Sequence, residues 1–313
     1  MISQNEMPNS AESILYKRTQ VDGLSMFYRE AGFPSQPTII LLHGFPSSSH
    51  MYRDLIPKLS PQYHVIAPDM PGFGYSDQPT PAEFEYSFDH LAEVMDRFLD
   101  AIGAERYSIY IQDYGSPVGF RLFLKHPECI QAIITQNGNA YLEGLSPFWA
   151  ESIEPYWKAK TADSEKKVRD LLTFEVTKFQ YTQGFRYPEL VNPDSYFFDQ
   201  MTLDRPGNQE IQLALFYDYQ NNIKQYPQWH QKLRQAQPPL LAVWGKNDPI
   251  FLPAGAEAFK RDVREAEVRL LDTGHFALED HAGVIAQHIL TFLSRLSLGR
   301  RATERSSSNV SAN

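Results

Sequence analysis

The sequence predicts an α/β protein: a mostly parallel central sheet, helices on both faces, and a helical segment inserted late in the sheet. Three observations carry that expectation. Short continuous apolar runs alternate with segments of helical periodicity through residues 25–140, the pattern of βα units whose strands are buried on both faces. The alternation stops between 141 and 237, a stretch with helical spacing, many aromatics and three of the four tryptophans. It resumes at 240 and closes on a helix.

The elements follow in order. Residues 25–30 read as a strand. Thr38–Leu42 (TIILL) and 64–67 (HVIA) are apolar runs too short for buried helices. Residues 88–102 place Leu91, Val94, Met95, Phe98 and Leu99 on one helical face. A strand at 107–111, a helix at 116–125 and a strand at 130–135 complete the first half. After the insertion come strands at 240–244 and Glu267–Leu271, then an amphipathic helix from about 282 to 296. The expected division is a core of 14–140 and 238–298, a helical insertion of 141–237, and disordered polar tails at 1–13 and 299–313.

Bulk properties narrow the partners. The 313 residues suffice for a large core. The net charge of −9 is spread among residues of both signs, which argues against a nucleic-acid or anionic-membrane surface. The single cysteine, Cys129, excludes an intramolecular disulfide framework and reads as a small core residue at a strand start. No apolar run reaches the ~20 residues of a membrane span, and the polar start lacks the apolar core of a signal peptide. The expectation is a cytoplasmic monomer or homodimer.

In an open parallel sheet, ligands bind at the carboxyl ends of strands. Four groups fall there. His43-Gly44-Phe45-Pro46 follows Thr38–Leu42; Gln112-Asp113-Tyr114-Gly115 follows 107–111; Asp248 in Gly245-Lys246-Asn247-Asp248-Pro249 follows 240–244; His275 in Asp272-Thr273-Gly274-His275-Phe276 follows Glu267–Leu271. Taken singly, Asp113 reads as a helix cap, Asp248 as a turn residue and His275 as a half-buried histidine. Together, their chain order of nucleophile, acid and histidine is that of the α/β-hydrolase triad. An acid stands where a serine would, and no G-x-S-x-G competes.

These motifs, with Ala67-Pro68-Asp69-Met70-Pro71-Gly72-Phe73-Gly74-Tyr75-Ser76, resemble the α/β-hydrolase fold over about 15–298. Within that fold they resemble the haloalkane dehalogenase and epoxide hydrolase branch. The resemblance implies that the insertion is a helical cap after the sixth strand. It implies that Asp113 is the nucleophile, with Asp248 and His275 completing the triad and the backbone N–H groups of Phe45 and Tyr114 forming the oxyanion hole. A serine needs a base before it attacks, whereas a carboxylate of ordinary pKa ~3.9 is already ionised at neutral pH. Attack at saturated carbon gives an alkyl ester of Asp113. Water activated by His275 then cleaves it, with Asp248 holding the imidazole tautomer. No metal or organic cofactor is required.

The two chemistries of the branch differ at the leaving group. Dehalogenases usually cradle halide with a tryptophan after the nucleophile and an asparagine in the oxyanion loop or a second tryptophan in the cap. Here Tyr114 and Phe45 replace the first two, which leaves Trp149 or Trp157 in the insertion. Epoxide hydrolases use cap tyrosines, and a phenol of pKa ~10 is a fair acid toward an alkoxide. The segment Phe216-Tyr217-Asp218-Tyr219-Gln220-Asn221-Asn222 resembles that part of their cap. It points to Tyr219, with Tyr156 or Tyr181 as a second donor. The expectation is epoxide opening on a small hydrophobic substrate. Haloalkane dehalogenation comes next, then an ester or C–C hydrolase, or a non-catalytic ligand receptor.

Overall fold

The structure, a computed structural model, describes residues 13–310, with side chains to 296. Strands β1 (Leu15–Val21), β2 (Leu24–Ala31), β3 (Thr38–Leu42), β4 (His64–Pro68), β5 (Tyr107–Gln112), β6 (Ile130–Gln136), β7 (Leu240–Gly245) and β8 (Glu267–Leu271) form one sheet. Its order is β1-β2-β4-β3-β5-β6-β7-β8. β1 and β2 pair antiparallel, as do β2 and β4, and every later pair is parallel. This is the α/β-hydrolase fold the sequence predicts.

β1 is an addition to the expected strands. Its burial alternates between half-buried and exposed along Leu-Tyr-Lys-Arg-Thr-Gln, so it carries no apolar run. The Asp22-Gly23 turn, with φ of 50° and 83°, is the hairpin signal that marks it. Of the central strands, β4, β5 and β7 are buried throughout, and β3 and β6 at all but one position each. Along β5, Ile109 and Ile111 pack into the core on one face of the sheet and Tyr110 into the core on the other. Each such burial is worth about 1.5–3 kcal/mol. Cys129 precedes β6 and is half-buried against one core, short of the strand start expected for it.

Helices α1 (Ile56–Leu59), α2 (Phe88–Ala101) and α3 (Gly115–Lys125) belong to the first half. Between β6 and β7 run α4 (Glu154–Lys158), α5 (Ala162–Asp170), α6 (Phe174–Thr182), α7 (Pro193–Leu203) and α8 (Asn208–Ala236). The chain ends with α9 (Pro253–Asp262), which lacked a sequence expectation, and α10 (Leu278–Val310). α10 continues through residues 299–310, where a disordered tail was expected. Residues 1–12 and 311–313 of the expected tails lie outside the described residues. Among the described residues, no helix is long and apolar enough to cross a membrane.

The sheet order places the site. β3 lies between β4 and β5, so chain direction along the sheet reverses there. A crevice opens at the carboxyl ends on either side of such a switch point. The loops after β3 and β5 carry Phe45 and Asp113.

Candidate active site

Asp113 occupies the turn from β5 into α3 with φ of 46°, a left-handed conformation that aspartate and asparagine enter more easily than most residues. The turn holds α3 hard against β3: a Cβ on Gly115 would overlap the carbonyl oxygen of Leu42. The backbone N–H groups of Phe45 and Tyr114 donate to Asp113 Oδ1 at 2.7 Å and 2.6 Å. That approach needs Gly44, whose added Cβ would collide with Asp113 Cβ and Oδ1. One carboxylate oxygen thus sits in a pair of convergent N–H donors beside the positive end of α3. The other faces the histidine.

His275 Nε2 lies 3.8 Å from Asp113 Oδ2. His275 Nδ1–H donates to Asp248 Oδ2 at 2.7 Å. All three side chains are buried. Burial raises the Asp113 pKa to about 6, although the His275 charge and the Phe45 and Tyr114 N–H groups pull it down and Asp248 pushes it up. For His275, burial is the largest influence and lowers the pKa. The charge and hydrogen bond of Asp248, with the charge of Asp113, outweigh it and leave the imidazole raised. The geometry offers an anionic oxygen, a base oriented by an acid, and two donors already on the oxygen that would become an ester carbonyl.

Three supporting residues escaped the sequence reading. Gln112 Nε2 donates to His275 Nε2 at 2.9 Å, a contact that requires the imidazole lone pair on Nε2 and so the proton on Nδ1. A half-turn of the amide presents its unpaired Oε1 to an imidazolium instead. Asn137, at the carboxyl end of β6, donates to Asp248 Oδ2 at 2.7 Å and accepts from the Gly245 N–H at 2.9 Å. Gln136 Nε2 donates to the His275 carbonyl at 2.8 Å. The signal for them was available: Gln136-Asn137 ends a parallel strand like the triad segments, and Gln112 adjoins Asp113.

A cavity of about 120 Å³ opens onto Asp113. Phe45, Tyr114, Phe148, Trp149, Ile153, Leu171 and Phe216 supply most of its apolar wall, and Gln180 is its one carboxamide. None of the three leaving-group donors expected in the cap lines it. Tyr219 is buried one ring behind the wall, 4.3 Å from Trp149 and 6.0 Å from Tyr114 between centroids, and its hydroxyl pairs with Tyr226. Tyr156 is buried and packs against Tyr217. Trp157 Nε1–H donates to the Phe216 carbonyl at 2.7 Å. Trp149 does line the cavity, but its N–H donates to the Ile250 carbonyl at 3.1 Å. The alternative second tyrosine, Tyr181, donates to Asp199 Oδ2 at 2.5 Å. Each of these aromatic donors except Tyr156 is spent on a neighbour, because an aromatic cap satisfies its own polar tips when it packs.

This arrangement on this sheet defines a hydrolase of the α/β-hydrolase class. The chain belongs to the alpha/beta hydrolase fold family, whose model matches residues 37–282. It is 48% identical over 278 residues to an uncharacterized hydrolase of Saccharomyces cerevisiae, covering 87% of this chain and 94% of that one. It is 29% identical over 306 residues to a haloalkane dehalogenase of Mesorhizobium japonicum, covering 92% and 94%. Among solved structures, haloalkane dehalogenase DbeA from Bradyrhizobium elkani superposes with a TM-score of 0.71 at 20% identity, covering 92% of this chain and all of that one. The chain is therefore a hydrolase related to the haloalkane dehalogenases.

Proposed function

We propose that this hydrolase works without a cofactor by forming and cleaving an alkyl ester of Asp113, and that its substrate is a small hydrophobic epoxide. The observation that carries the mechanism is the division of labour between the two oxygens of Asp113. Oδ1 is held by the Phe45 and Tyr114 N–H groups, while Oδ2 is free to attack a carbon entering from the cavity. When Oδ2 is alkylated, Oδ1 becomes the ester carbonyl, already seated in its donors. His275 then takes a proton from water as the water adds to the ester carbon. The resulting oxyanion at Oδ1 gains from each donor a stabilisation of the order of 3–4 kcal/mol. Collapse expels the product oxygen and restores the carboxylate.

The leaving group follows from the donors at hand. The halide cradle of the dehalogenases uses indole N–H groups, and both cap indoles nearest the site are spent on the carbonyls of Ile250 and Phe216. An epoxide leaves as an alkoxide, whose high basicity calls for a single hydrogen-bond donor, and relief of ring strain helps its carbon–oxygen bond to open. The apolar wall favours a hydrophobic substrate. Haloalkane dehalogenation is the second reading, favoured by the dehalogenase of Mesorhizobium japonicum that aligns over 92% of the chain. We place the enzyme in the cytoplasm, where a lone unpaired thiol is at home.

The test is an intact-mass trap. In His275→Ala the ester forms and persists, so an aromatic epoxide adds its whole mass, and Asp113→Asn adds none. A bromoalkane that adds its alkyl group without bromine, where epoxides add nothing, reverses the ranking. No adduct from broad panels of both overturns the ester mechanism.

A further inference from the structure

We infer that Gln180 is the residue that holds the leaving oxygen. The inference rests on the ester mechanism above and names the donor that the mechanism lacks. Besides Asp113, three side chains with polar hydrogens line the cavity: Tyr114, Trp149 and Gln180. The Trp149 N–H is taken by Ile250. The Tyr114 hydroxyl is sealed, without a partner, among the rings of Phe45, Phe73, Phe88, Phe216 and Tyr219. Gln180 remains. It is 5% exposed, and its carboxamide carries no intramolecular hydrogen bond.

Its direction is set by α6. Val176, Phe179 and Gln180 share one face of the helix at i, i+3, i+4 spacing and all three line the cavity. The adjoining face is anchored to α7: Thr177 Oγ1–H donates to Gln200 Oε1 at 2.7 Å, and Tyr181 Oη–H to Asp199 Oδ2 at 2.5 Å. Tyr181 also stacks on Phe276, 3.9 Å between centroids and 4° between planes. These contacts fix the rotation of α6 and aim Gln180 into the cavity.

A carboxamide donates a hydrogen bond but is no acid, and this shapes the first step. Asp113 Oδ2 bonds to the ring carbon as the carbon–oxygen bond breaks, and the electron pair goes to the departing oxygen. Gln180 Nε2–H holds that oxygen. Cavity water supplies its proton, leaving hydroxide. The proton that His275 later removes from the attacking water neutralises this hydroxide, so the sum is epoxide plus water giving diol.

The experiment measures the rate of adduct formation in His275→Ala with and without Gln180→Ala, using an aromatic epoxide and an iodoalkane, whose iodide departs with little need of a donor. Gln180→Met, which keeps the length of the side chain, runs in parallel, and thermal melts show that each variant is folded. Loss of the donor should slow ester formation from the epoxide about 100-fold, with the iodoalkane rate nearly unchanged and the final adduct mass the same. Equal rates with and without the carboxamide overturn the assignment. So does equal slowing toward both substrates, which marks a packing role. Failure of His275→Ala itself to form any adduct instead removes the ester mechanism on which the assignment rests.

Discussion

At the residue scale, the site turns on how burial and neighbours set two titrations. In the proposed mechanism Asp113 must be ionised to attack, and burial raises its pKa to about 6. Ester formation in single turnover should therefore fall about tenfold per pH unit once the pH drops below that value, and level off above it. His275 must be neutral to activate water. Two of the influences that raise it are the charges of Asp248 and Asp113, and alkylation deletes the second. The base is thus more readily neutral in the intermediate than in the resting enzyme, as its task requires. Asn137 has its own signature. Asn137→Ala removes the N–H from Asp248 Oδ2 and the acceptor from the Gly245 N–H. The acid that orients His275 is loosened while Asp113 keeps its donors. Ester cleavage should slow by one to two orders of magnitude, roughly the effect of losing one buried hydrogen bond to a charged group, with ester formation little changed. The variant should then accumulate adduct during turnover, visible by intact mass.

At the scale of elements, the parallel strands and the triad were legible for the same reason. A strand buried on both faces writes an unbroken apolar run, and its carboxyl end is where chemistry sits. Thr38–Leu42 was located to the residue on that ground, and Glu267–Leu271, an edge strand with only half-buried and exposed positions, was also located to the residue. β1 was missed because Lys17, Arg18, Thr19 and Gln20 leave it without an apolar run. The cap donors were missed for a different reason. Tyr219, Tyr156 and Trp157 have the right chemistry. Which of them faces the cavity depends on how five helices rotate against one another, and no local pattern encodes that. Gln180 lies in none of the motifs that carry the resemblance; its place in the cavity wall and the hydrogen bonds of Thr177 and Tyr181 on the adjoining face reveal where it points. The partner helix α7 supplies a test of stability. Burial raises Asp199 to about 8, against the pull of the Tyr181 hydroxyl. An acid whose folded pKa is raised contributes stability in full below its unfolded value near 3.8. That contribution is lost as pH climbs through the window up to about 8. The melting temperature should thus decline across that range for this site, and Asp199→Asn, which keeps an acceptor for Tyr181 and cannot ionise, should flatten the decline.

At the scale of the whole molecule, the cap is bound to the core by polar contacts that surround the catalytic loops. Glu279, in the first turn of α10, takes a bidentate pair from Arg53 at 3.1 Å and 2.8 Å and a hydrogen bond from Ser195 of α7 at 2.9 Å. Arg121 of α3 donates to Asn222 of α8 at 2.8 Å, and Asn208 at the start of α8 donates to the Gly72 carbonyl at 2.8 Å. The Tyr181–Phe276 stack joins the helix that carries Gln180 to the residue after His275. That stack thus links a cavity-lining helix to the segment that carries the triad histidine.

The seating of Asp113 Oδ1 has a consequence for what the enzyme ignores. Its two backbone donors are occupied in the resting state by the enzyme's own carboxylate. A passing ester or thioester that needs the same donors for its carbonyl finds the seat taken, and displacing a buried anion from two hydrogen bonds is costly. Under the proposed mechanism, selectivity against such esters would arise by pre-emption, before any shape in the pocket is consulted. In the proposed mechanism the seat need not be vacated for an external substrate, because the intermediate that uses it is built from the occupant.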